Sequence, residues 1–267
     1  MEQCDSTFEG IPIRYWTGGS GAPLLLLHGT GPGAATHGNW RLILNDLCQR
    51  YTVIAGDLIG FGESGRKPAP PYFDFDLWYR QAGHLLGLFG ADKVNVLGHS
   101  LSGALALKLA AHDPRVARVL TTGTIGSPFL ASEATKIVWS FPRNDEELRR
   151  AGATLVYDDS IIDDTYIAGR KKVLYQGDYE AYFSSMFAGD PQQYLNASLL
   201  SEKELAAITC DVLLVHGKDD QPTPIASSQA LAARIAQADF MTIARCGHSV
   251  ALEHPRKLVA LASMFFG

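Results

Sequence analysis

A serine lies between a predicted strand and a predicted helix, where its hydroxyl could act as a nucleophile. Ser100 follows the apolar run 94–97 and precedes an alanine-rich segment, 104–111. The residues two positions before and after it, Gly98 and Ser102, are small, as the tight turn of a nucleophile elbow requires. Such a turn exposes the hydroxyl at a helix N-terminus, whose partial positive charge favours a developing anion. An ordinary strand-to-helix turn has the same short pattern, so the assignment depends on partners elsewhere in the chain.

A serine hydroxyl needs a histidine to take its proton and a carboxylate to orient that histidine. Of the eight histidines, His248 lies in a loop after the last apolar run and before the final helix. The acid should follow the preceding strand, where Asp219 and Asp220 are adjacent. The chain order serine, aspartate, histidine is that of α/β-hydrolases. The sequence therefore predicts a triad of Ser100, one of these aspartates and His248.

The chain resembles the α/β-hydrolase superfamily over nearly its whole length. Within it, the chain is similar to the meta-cleavage product hydrolases, which cut carbon–carbon bonds in ring-opened aromatic compounds. The segments that carry this resemblance are LHGTGPGA at 27–34, NWR at 39–41 and VIAGDLIGFGES at 53–64. The family spacing Gly-x-x-Asp-x-x-x-Pro is met by Gly217, Asp220 and Pro224. The resemblance thus selects Asp220 as the acid and leaves Asp219 as a solvated neighbour.

The reaction also needs two backbone N–H groups aimed at the anion of a tetrahedral intermediate. We expect one from Leu101, the residue after the nucleophile. The other is expected from Thr30 in the loop after His28, and Gly31 beside it is expected to contact the substrate. A tight turn of the sheet would also require glycines in this loop, and the two roles are compatible because glycine lets the backbone approach a ligand closely.

The resemblance further implies that Asn39, Ser160 and Arg170 hold the carboxylate and neighbouring oxygens of a dienoate substrate. The serine and the arginine are ten residues apart (170 − 160), as in the family. Because Lys171 and Lys172 follow Arg170, a solvated basic helix face is an equally good interpretation of this segment.

Two positions depart from the family pattern, and both are expected to face the substrate. His99 stands before the nucleophile, where the family usually has asparagine, and Ser249 follows the histidine, where it usually has tryptophan. The elbow Gly-His-Ser-Leu-Ser is also similar to those of esterases and lactonases. Three functions stay open: a carbon–carbon bond hydrolase of a 2-hydroxy-6-oxo-dienoate, a carboxylesterase or lactonase using the same triad, and a ligand-binding receptor or non-hydrolytic catalyst that keeps the fold with a vestigial triad. The intact triad motifs weigh against the last.

The elements that must position these residues alternate between strands and helices, which predicts an α/β fold with a mostly parallel sheet and helices on both faces. Strands are expected in 11–16, 24–27, 51–55, 94–97, 116–121, 212–215 and 240–243, and helices in 40–47, 73–89, 104–111 and from 255. The alternation fails between 127 and 195, where amphipathic segments predict a helical cap. The α/β-hydrolase core would then consist of residues 1–126 and 196–267.

Composition agrees with one enzyme domain that acts on a small molecule. The 267 residues are 46% hydrophobic, and a net charge of −5 without a basic cluster argues against nucleic acid. No apolar run approaches the ~20 residues that span a bilayer, and the acidic first residues do not form a signal peptide. The four scattered cysteines are expected to be free thiols in the cytoplasm. The oligomeric state stays open, with a homo-oligomer as one option.

Two further patterns imitate cofactor sites. The segment 60–65 matches G-x-G-x-x-G after a strand, but the prolines at 68, 70 and 71 forbid the helix that a dinucleotide fingerprint needs. The other histidines show no ligand spacing with carboxylates or cysteines, and His216 is expected to pack at a strand end. We therefore predict neither a metal nor a cofactor.

Overall fold

An eight-stranded sheet forms the centre of the protein in this computed structural model, which describes all 267 residues. The strands are β1 (Glu2–Phe8), β2 (Ile11–Gly18), β3 (Ala22–Leu27), β4 (Tyr51–Gly56), β5 (Val94–His99), β6 (Val116–Thr122), β7 (Asp211–Gly217) and β8 (Ala238–Ile243). Their spatial order is β1-β2-β4-β3-β5-β6-β7-β8. Strands β1 and β2 pair antiparallel, and β2 pairs antiparallel with β4. From β4 to β8 every neighbouring pair is parallel, so the carboxyl ends of β3, β5, β6 and β7 lie at one edge of the sheet.

The four leucines of β3 show why the sheet is covered on both faces. Leu25 and Leu27 belong to a cluster of 48 buried residues, while Leu24 and Leu26 belong to a second cluster of 20. Successive side chains of a strand point to opposite faces, so an uninterrupted apolar strand needs a hydrophobic layer on each side. The predicted α/β-hydrolase fold class is confirmed.

Helices supply both layers. They are α1 (Thr36–Trp40), α2 (Leu44–Cys48), α3 (Phe75–Gly87), α4 (Leu101–His112), α5 (Glu133–Val138), α6 (Asp145–Ala153), α7 (Asp164–Leu174), α8 (Tyr179–Met186), α9 (Gln192–Ala197), α10 (Glu202–Ala207), α11 (Ile225–Ala232), α12 (Val250–Glu253) and α13 (Pro255–Phe266). A short 3-10 turn, Asp159–Ile161, precedes α7. None of these helices has both the length and the apolar character that crossing a membrane demands.

Three elements differ from the sequence-based expectation. Strand β1 was not expected, because its sequence EQCDSTF is polar; it is an edge strand whose residues are exposed or half-buried. The single helix expected over 40–47 is two short helices, separated by a turn in which Ile43 N–H donates to Trp40 O at 2.8 Å. Helix α4 begins at Leu101, directly after the candidate nucleophile, and not at Ala104.

The glycine-rich segment after β4 forms a turn, as expected. Gly60 and Gly62 have φ angles of 89° and 53°, in the left-handed region that favours glycine. The next helix begins only at Phe75. A phosphate cradle of the dinucleotide type requires a helix that starts at the glycines, and this segment does not provide one.

The stretch between β6 and β7 contains no strand, and its regular elements are the helices α5 to α10 and the 3-10 turn Asp159–Ile161. Aromatic side chains pack together inside it, with the rings of Trp139 and Phe187 stacked at 5.4 Å and Phe187 lying 4.9 Å from Phe183. The predicted cap, residues 127–195, falls on this stretch. Its division from the core and its action as a lid are part of the proposal below.

Candidate active site

Ser100 occupies the turn between β5 and α4 with a backbone conformation that few residues other than glycine adopt. Its φ and ψ are 59° and −123°. The turn is so tight that a Cβ added to Gly98 would lie 2.4 Å from Ser102 O. Ser100 N–H donates to Thr122 O of β6 at 2.9 Å, which fixes the turn against the neighbouring strand. The geometry is that of a strained strand-to-helix turn with the serine at its apex.

His248 and Asp220 are joined by a short hydrogen bond in a nearly dry environment. His248 Nδ1 lies 2.7 Å from Asp220 Oδ2, and the other carboxylate oxygen accepts from Thr223 N at 2.9 Å. Because an ionised carboxylate only accepts, Nδ1 carries the proton of this bond, and Nε2 is the nitrogen left to exchange a proton with a ligand. Asp219 is exposed and accepts from Cys246 N at 3.3 Å. The structure therefore pairs His248 with Asp220 and not with Asp219.

The charge of Asp220 is stabilised by its partners. Burial raises the pKa of this carboxyl, but the charge of His248 and hydrogen bonds from His216 and His248 together lower it to about 2. These partners hold Asp220 as an anion, as the orienting member of a triad must be.

Ser100 and His248 line the same cavity, which lies between the carboxyl edge of the sheet and the helices of the predicted cap. Twelve of its 27 lining residues are hydrophobic, so the cavity suits a molecule with both an apolar and a polar part. The Ser100 hydroxyl makes no hydrogen bond within 3.5 Å. Such contacts are often long without substrate and tighten when it binds.

Two backbone N–H groups beside Ser100 have no partner within the protein. Leu101 is the first residue of α4, where no helical carbonyl is available to its N–H. Thr30 N–H, in the loop after β3, also donates no hydrogen bond. Ser102 Oγ donates to His28 O and so ties this loop to α4. Both N–H groups are free to stabilise an anion at this edge.

Five of the six residues predicted to contact substrate line this cavity: Gly31, Asn39, His99, Arg170 and Ser249. Arg170 Nη1 donates to Pro32 O at 3.1 Å, and its guanidinium lies 5.2 Å from the centre of the Tyr166 ring. No carboxylate lies within 4.0 Å of the Arg170 guanidinium, and the Asn39 amide side chain makes no hydrogen bond. Both side chains keep donors available to a ligand.

Ser160 is the exception, since the structure does not bring it to the cavity. It is exposed in the 3-10 turn 159–161, and its hydroxyl donates to Asp158 Oδ1 at 2.6 Å. Its backbone N–H donates to the same oxygen at 3.1 Å. Ser160 is engaged in closing its own turn, so we leave it out of the proposed substrate site.

His99 is buried beside the catalytic candidates and is neutral. Its Nδ1 lies 3.0 Å from Thr122 Oγ1 and 3.2 Å from Thr122 O, and its ring centre lies 4.7 Å from that of His248. Burial, followed by repulsion from the charge of His248, lowers the pKa of His99 to about 3. With its Nδ1–H donated to Thr122 O, the ring leaves Nε2 as an acceptor, where the asparagine of the family would offer an amide that can donate.

Three residues to which the sequence analysis gave no role in the site contact its members. Trp139 Nε1 donates to Thr30 Oγ1 at 3.3 Å, and Glu253 accepts from Gly247 N at 2.6 Å, next to His248. His216 contacts Asp220, with Nε2 3.1 Å from Oδ2. Only His216 carried a sequence signal, because it ends a predicted parallel strand four residues before the acid. The other two depend on cap and loop packing, which periodicity does not reveal.

The His248 loop is also docked on the end of α6. Ser249 N–H donates to Leu155 O at 2.9 Å, and Glu253 accepts from Tyr157 N at 2.7 Å. Gly247 packs so closely that a Cβ there would lie 2.8 Å from the Val156 backbone. The residues on both sides of His248 are therefore held in part by the helical stretch. The structure shows no group of three histidine, cysteine or acidic side chains arranged to hold a metal ion.

Comparison with known proteins agrees with this geometry. The sequence model of the alpha/beta hydrolase family matches residues 24–261. A 2-hydroxymuconate semialdehyde hydrolase of Pseudomonas sp. strain CF600 is 31% identical over 257 residues, which is 96% of this chain and 90% of the relative. A 2-hydroxy-6-oxo-2,4-heptadienoate hydrolase of Pseudomonas putida strain F1 is 30% identical, over 96% of this chain and 93% of the relative.

A solved structure gives the same result in three dimensions. A mutant of the meta-cleavage product hydrolase CumD superposes with a TM-score of 0.93 at 30% sequence identity. The match covers 98% of this chain and 97% of that one. The similarity therefore extends over the core and the helical stretch alike.

Proposed function

The chain belongs to the α/β-hydrolase family, alongside relatives that are meta-cleavage product hydrolases, and from this premise we propose that it hydrolyses a carbon–carbon bond in a 2-hydroxy-6-oxo-dienoate. It is an α/β-fold hydrolase, which sets aside the receptor interpretation of the sequence. The observation that carries the finer proposal is Arg170, a guanidinium without a carboxylate partner in the same cavity as Ser100.

In the proposed mechanism, the 6-oxo carbonyl of the substrate lies at Ser100. His248 Nε2 accepts a proton from the Ser100 hydroxyl or from a water that this hydroxyl activates. Asp220, bonded to Nδ1, keeps the imidazole in the required tautomer and stabilises its protonated form. The oxygen of the attacked carbonyl becomes an anion, and the N–H groups of Thr30 and Leu101 are the donors we assign to it.

The other end of the substrate is assigned to the cap side of the cavity. Arg170 offers the dienoate carboxylate two parallel charge-assisted hydrogen bonds, and the Asn39 amide can donate to a neighbouring oxygen. The enol of the substrate first ketonises as its O2 proton moves to C5, because only an sp3 C5 can release the electron pair of the C5–C6 bond into the conjugated system. The C5–C6 bond beside the attacked carbonyl then breaks, which leaves the other fragment as a dienolate. His248 returns its proton to that fragment, while water supplies the hydroxyl of the carboxylic acid product. The two products together contain the atoms of the substrate and of one water molecule, so the reaction needs no other co-reactant and no cofactor.

A paired substrate screen tests the proposal. A coloured 2-hydroxy-6-oxo-dienoate and p-nitrophenyl acetate are compared on the wild type and on Ser100→Ala. We expect the dienoate to have the larger kcat/KM, because only it uses the charged contact to Arg170, and we expect Ser100→Ala to lose activity on both substrates. A larger kcat/KM for the ester would contradict the carbon–carbon bond assignment.

A carboxylesterase or lactonase is the second candidate, and His99 and Ser249 favour it. Both line the cavity at positions where the family usually has asparagine and tryptophan. In this alternative the same triad acts on a small ester and Arg170 contributes little. His99→Asn restores the family residue and separates the two candidate functions, since it should change kcat/KM for the ester and kcat/KM for the dienoate by different factors. Equal changes in the two kcat/KM values would show that His99 does not decide the substrate.

A further inference from the structure

A second imidazole contacts the carboxylate of Asp220. His216, the second-to-last residue of β7, lies just before the acid loop and is fully buried. Its Nε2 lies 3.1 Å from Asp220 Oδ2. This is the oxygen that also receives His248 Nδ1 at 2.7 Å. One carboxylate oxygen therefore lies between two imidazole rings.

The surroundings of His216 determine which nitrogen carries its proton. Nε2 faces two acceptors, Asp220 Oδ2 at 3.1 Å and Thr223 O at 3.0 Å. Nδ1 lies 2.8 Å from Ser228 Oγ, a buried hydroxyl that makes no other hydrogen bond. Since a carbonyl and a carboxylate cannot donate, the proton sits on Nε2 and Ser228 donates to Nδ1. The ring thus donates from Nε2 towards the acid loop, where Thr223 O and Asp220 Oδ2 lie.

This arrangement surrounds the buried carboxylate with protein donors. Asp220 Oδ1 accepts from Thr223 N and Oδ2 accepts from His248, while the N–H on His216 Nε2, which donates to Thr223 O at 3.0 Å, also faces Oδ2 at 3.1 Å. A buried carboxylate that lost one of these donors would be poorly solvated and free to rotate. Rotation would take Oδ2 away from His248, whose orientation depends on it.

We propose that His216 is a positioning residue for the triad, acting through Asp220 by holding its Oδ2 in the direction of His248. This inference rests on the proposed function, because it assumes that Asp220 orients His248 in catalysis. His216 touches neither substrate nor the reacting atoms. It affects the fraction of enzyme in which His248 is correctly aligned, so loss of the His216 imidazole should lower kcat and leave KM unchanged.

Two substitutions at His216 measure this effect with p-nitrophenyl acetate and with the coloured dienoate. His216→Leu removes the donor, and His216→Gln retains an N–H at about the position of Nε2. We expect His216→Leu to lower kcat by roughly 10- to 100-fold, the range for a hydrogen bond to a charged group, with KM changed less than about twofold. His216→Gln should recover most of the loss. Equal losses in the two variants would overturn the proposal.

A double-mutant cycle with Asp220→Asn separates positioning from packing. If His216 acts through the Asp220 carboxylate, His216→Leu should cost less than about threefold in the Asp220→Asn background. The same large loss in both backgrounds would show that His216 acts on the fold and not on the acid. If Asp220→Asn alone retained full activity, the proposed triad itself would fail, which is a different result.

Two controls keep the test interpretable. Val212→Ala shortens a buried side chain on the same strand and the same sheet face as His216. It should lower the midpoint of thermal unfolding and leave kcat unchanged.

If His216→Leu does not fold, the Ser228→Ala variant is used in its place, since this change removes only the donor to His216 Nδ1. A reduction of kcat by Ser228→Ala that disappears in the Asp220→Asn background would support the proposal, and a reduction that persists there would overturn it.

Discussion

The two sides of the cavity are built by different means. On the core side, Ser100, Asp220 and His248 follow strands β5, β7 and β8, whose parallel pairing brings their carboxyl ends to one edge. On the cap side, Arg170 reaches the cavity from α7 while Ser160, ten residues earlier (170 − 160), does not. Sheet topology thus fixes the position of a residue at a strand end, whereas helix packing must be known before a residue on a cap helix can be placed.

The difference predicts where substitutions should act. Changes on the core side should affect every substrate, because they alter groups that act on the carbonyl. Changes on the cap side should distinguish between substrates, because they alter groups that hold the rest of the molecule. Four experiments can break or sharpen this division.

The largest effect is expected from the proposed triad. Ser100→Ala or His248→Ala should lower kcat by roughly 10³-fold or more on both the dienoate and p-nitrophenyl acetate, with the fold retained in circular dichroism. Asp220→Asn should cost somewhat less. Asp219→Asn is the matched control, because its side chain is exposed and only accepts from Cys246 N. A strong loss in Asp219→Asn together with near-normal Asp220→Asn would show that the acid has been misassigned.

The second effect concerns Arg170 and should depend on the substrate. Arg170→Ala should lower kcat/KM for the dienoate by roughly 30- to 1000-fold, which corresponds to ~2–4 kcal/mol, because the carboxylate loses a charge-assisted contact. The same change should scarcely alter p-nitrophenyl acetate, which has no anion to hold. Lys171→Ala is the control, since it removes an equal charge from α7 but its ammonium pairs with Asp145 at 2.8 Å. Equal small effects of Arg170→Ala on both substrates would favour the esterase candidate.

The division between the core side and the cap side also separates the parts of the site that the sequence predicted from those that it did not. The elbow around Ser100 and the loops that carry the acid and His248 could be placed because each follows an apolar run, whereas the choice of Asp220, which the structure pairs with His248, came from the family spacing. The contacts of Trp139 with Thr30 and of Glu253 with Gly247 could not, because they join segments whose relative packing is set by the whole helical stretch.

In the fold, the apolar central strands were predicted and the polar edge strand β1 was not. Leu24 to Leu27 carry a strong signal because both faces are buried. The residues of β1 pair only with β2 and stay exposed or half-buried, so hydrophobic periodicity does not mark them. Their strand is specified by pairing, which a single sequence does not show.

A third, smaller effect should appear in stability against pH. The pKa of His99 is about 3 in the folded protein, below the ordinary value of 6.5. The unfolded chain therefore binds a proton at His99 in a pH range where the folded protein does not. The stability that depends on neutral His99 is complete above pH 6.5 and is lost as the pH falls towards 3.

Between pH 7 and pH 5 this loss amounts to roughly 2 kcal/mol, at 1.36 kcal/mol per pH unit below 6.5. Urea unfolding at the two pH values measures it, and His99→Asn should reduce the difference by about that amount. His37→Asn, at an exposed histidine without a hydrogen bond, is the control and should leave the difference unchanged. An unchanged difference in His99→Asn would mean that His99 is protonated in the folded protein.

The smallest effect is expected at Ser160, and it tests the cap side most directly. Its hydroxyl is exposed and donates to Asp158 Oδ1, which also accepts from the Ser160 backbone N–H. Ser160→Ala leaves the backbone contact in place, so kcat/KM for the dienoate should stay within about twofold of the wild type. A rise in KM of tenfold or more, for the dienoate and not for p-nitrophenyl acetate, would show that the turn 159–161 moves towards the cavity when the carboxylate binds. Arg170 and Ser160 would then both bind that carboxylate, and substrate binding would complete the cap side of the cavity.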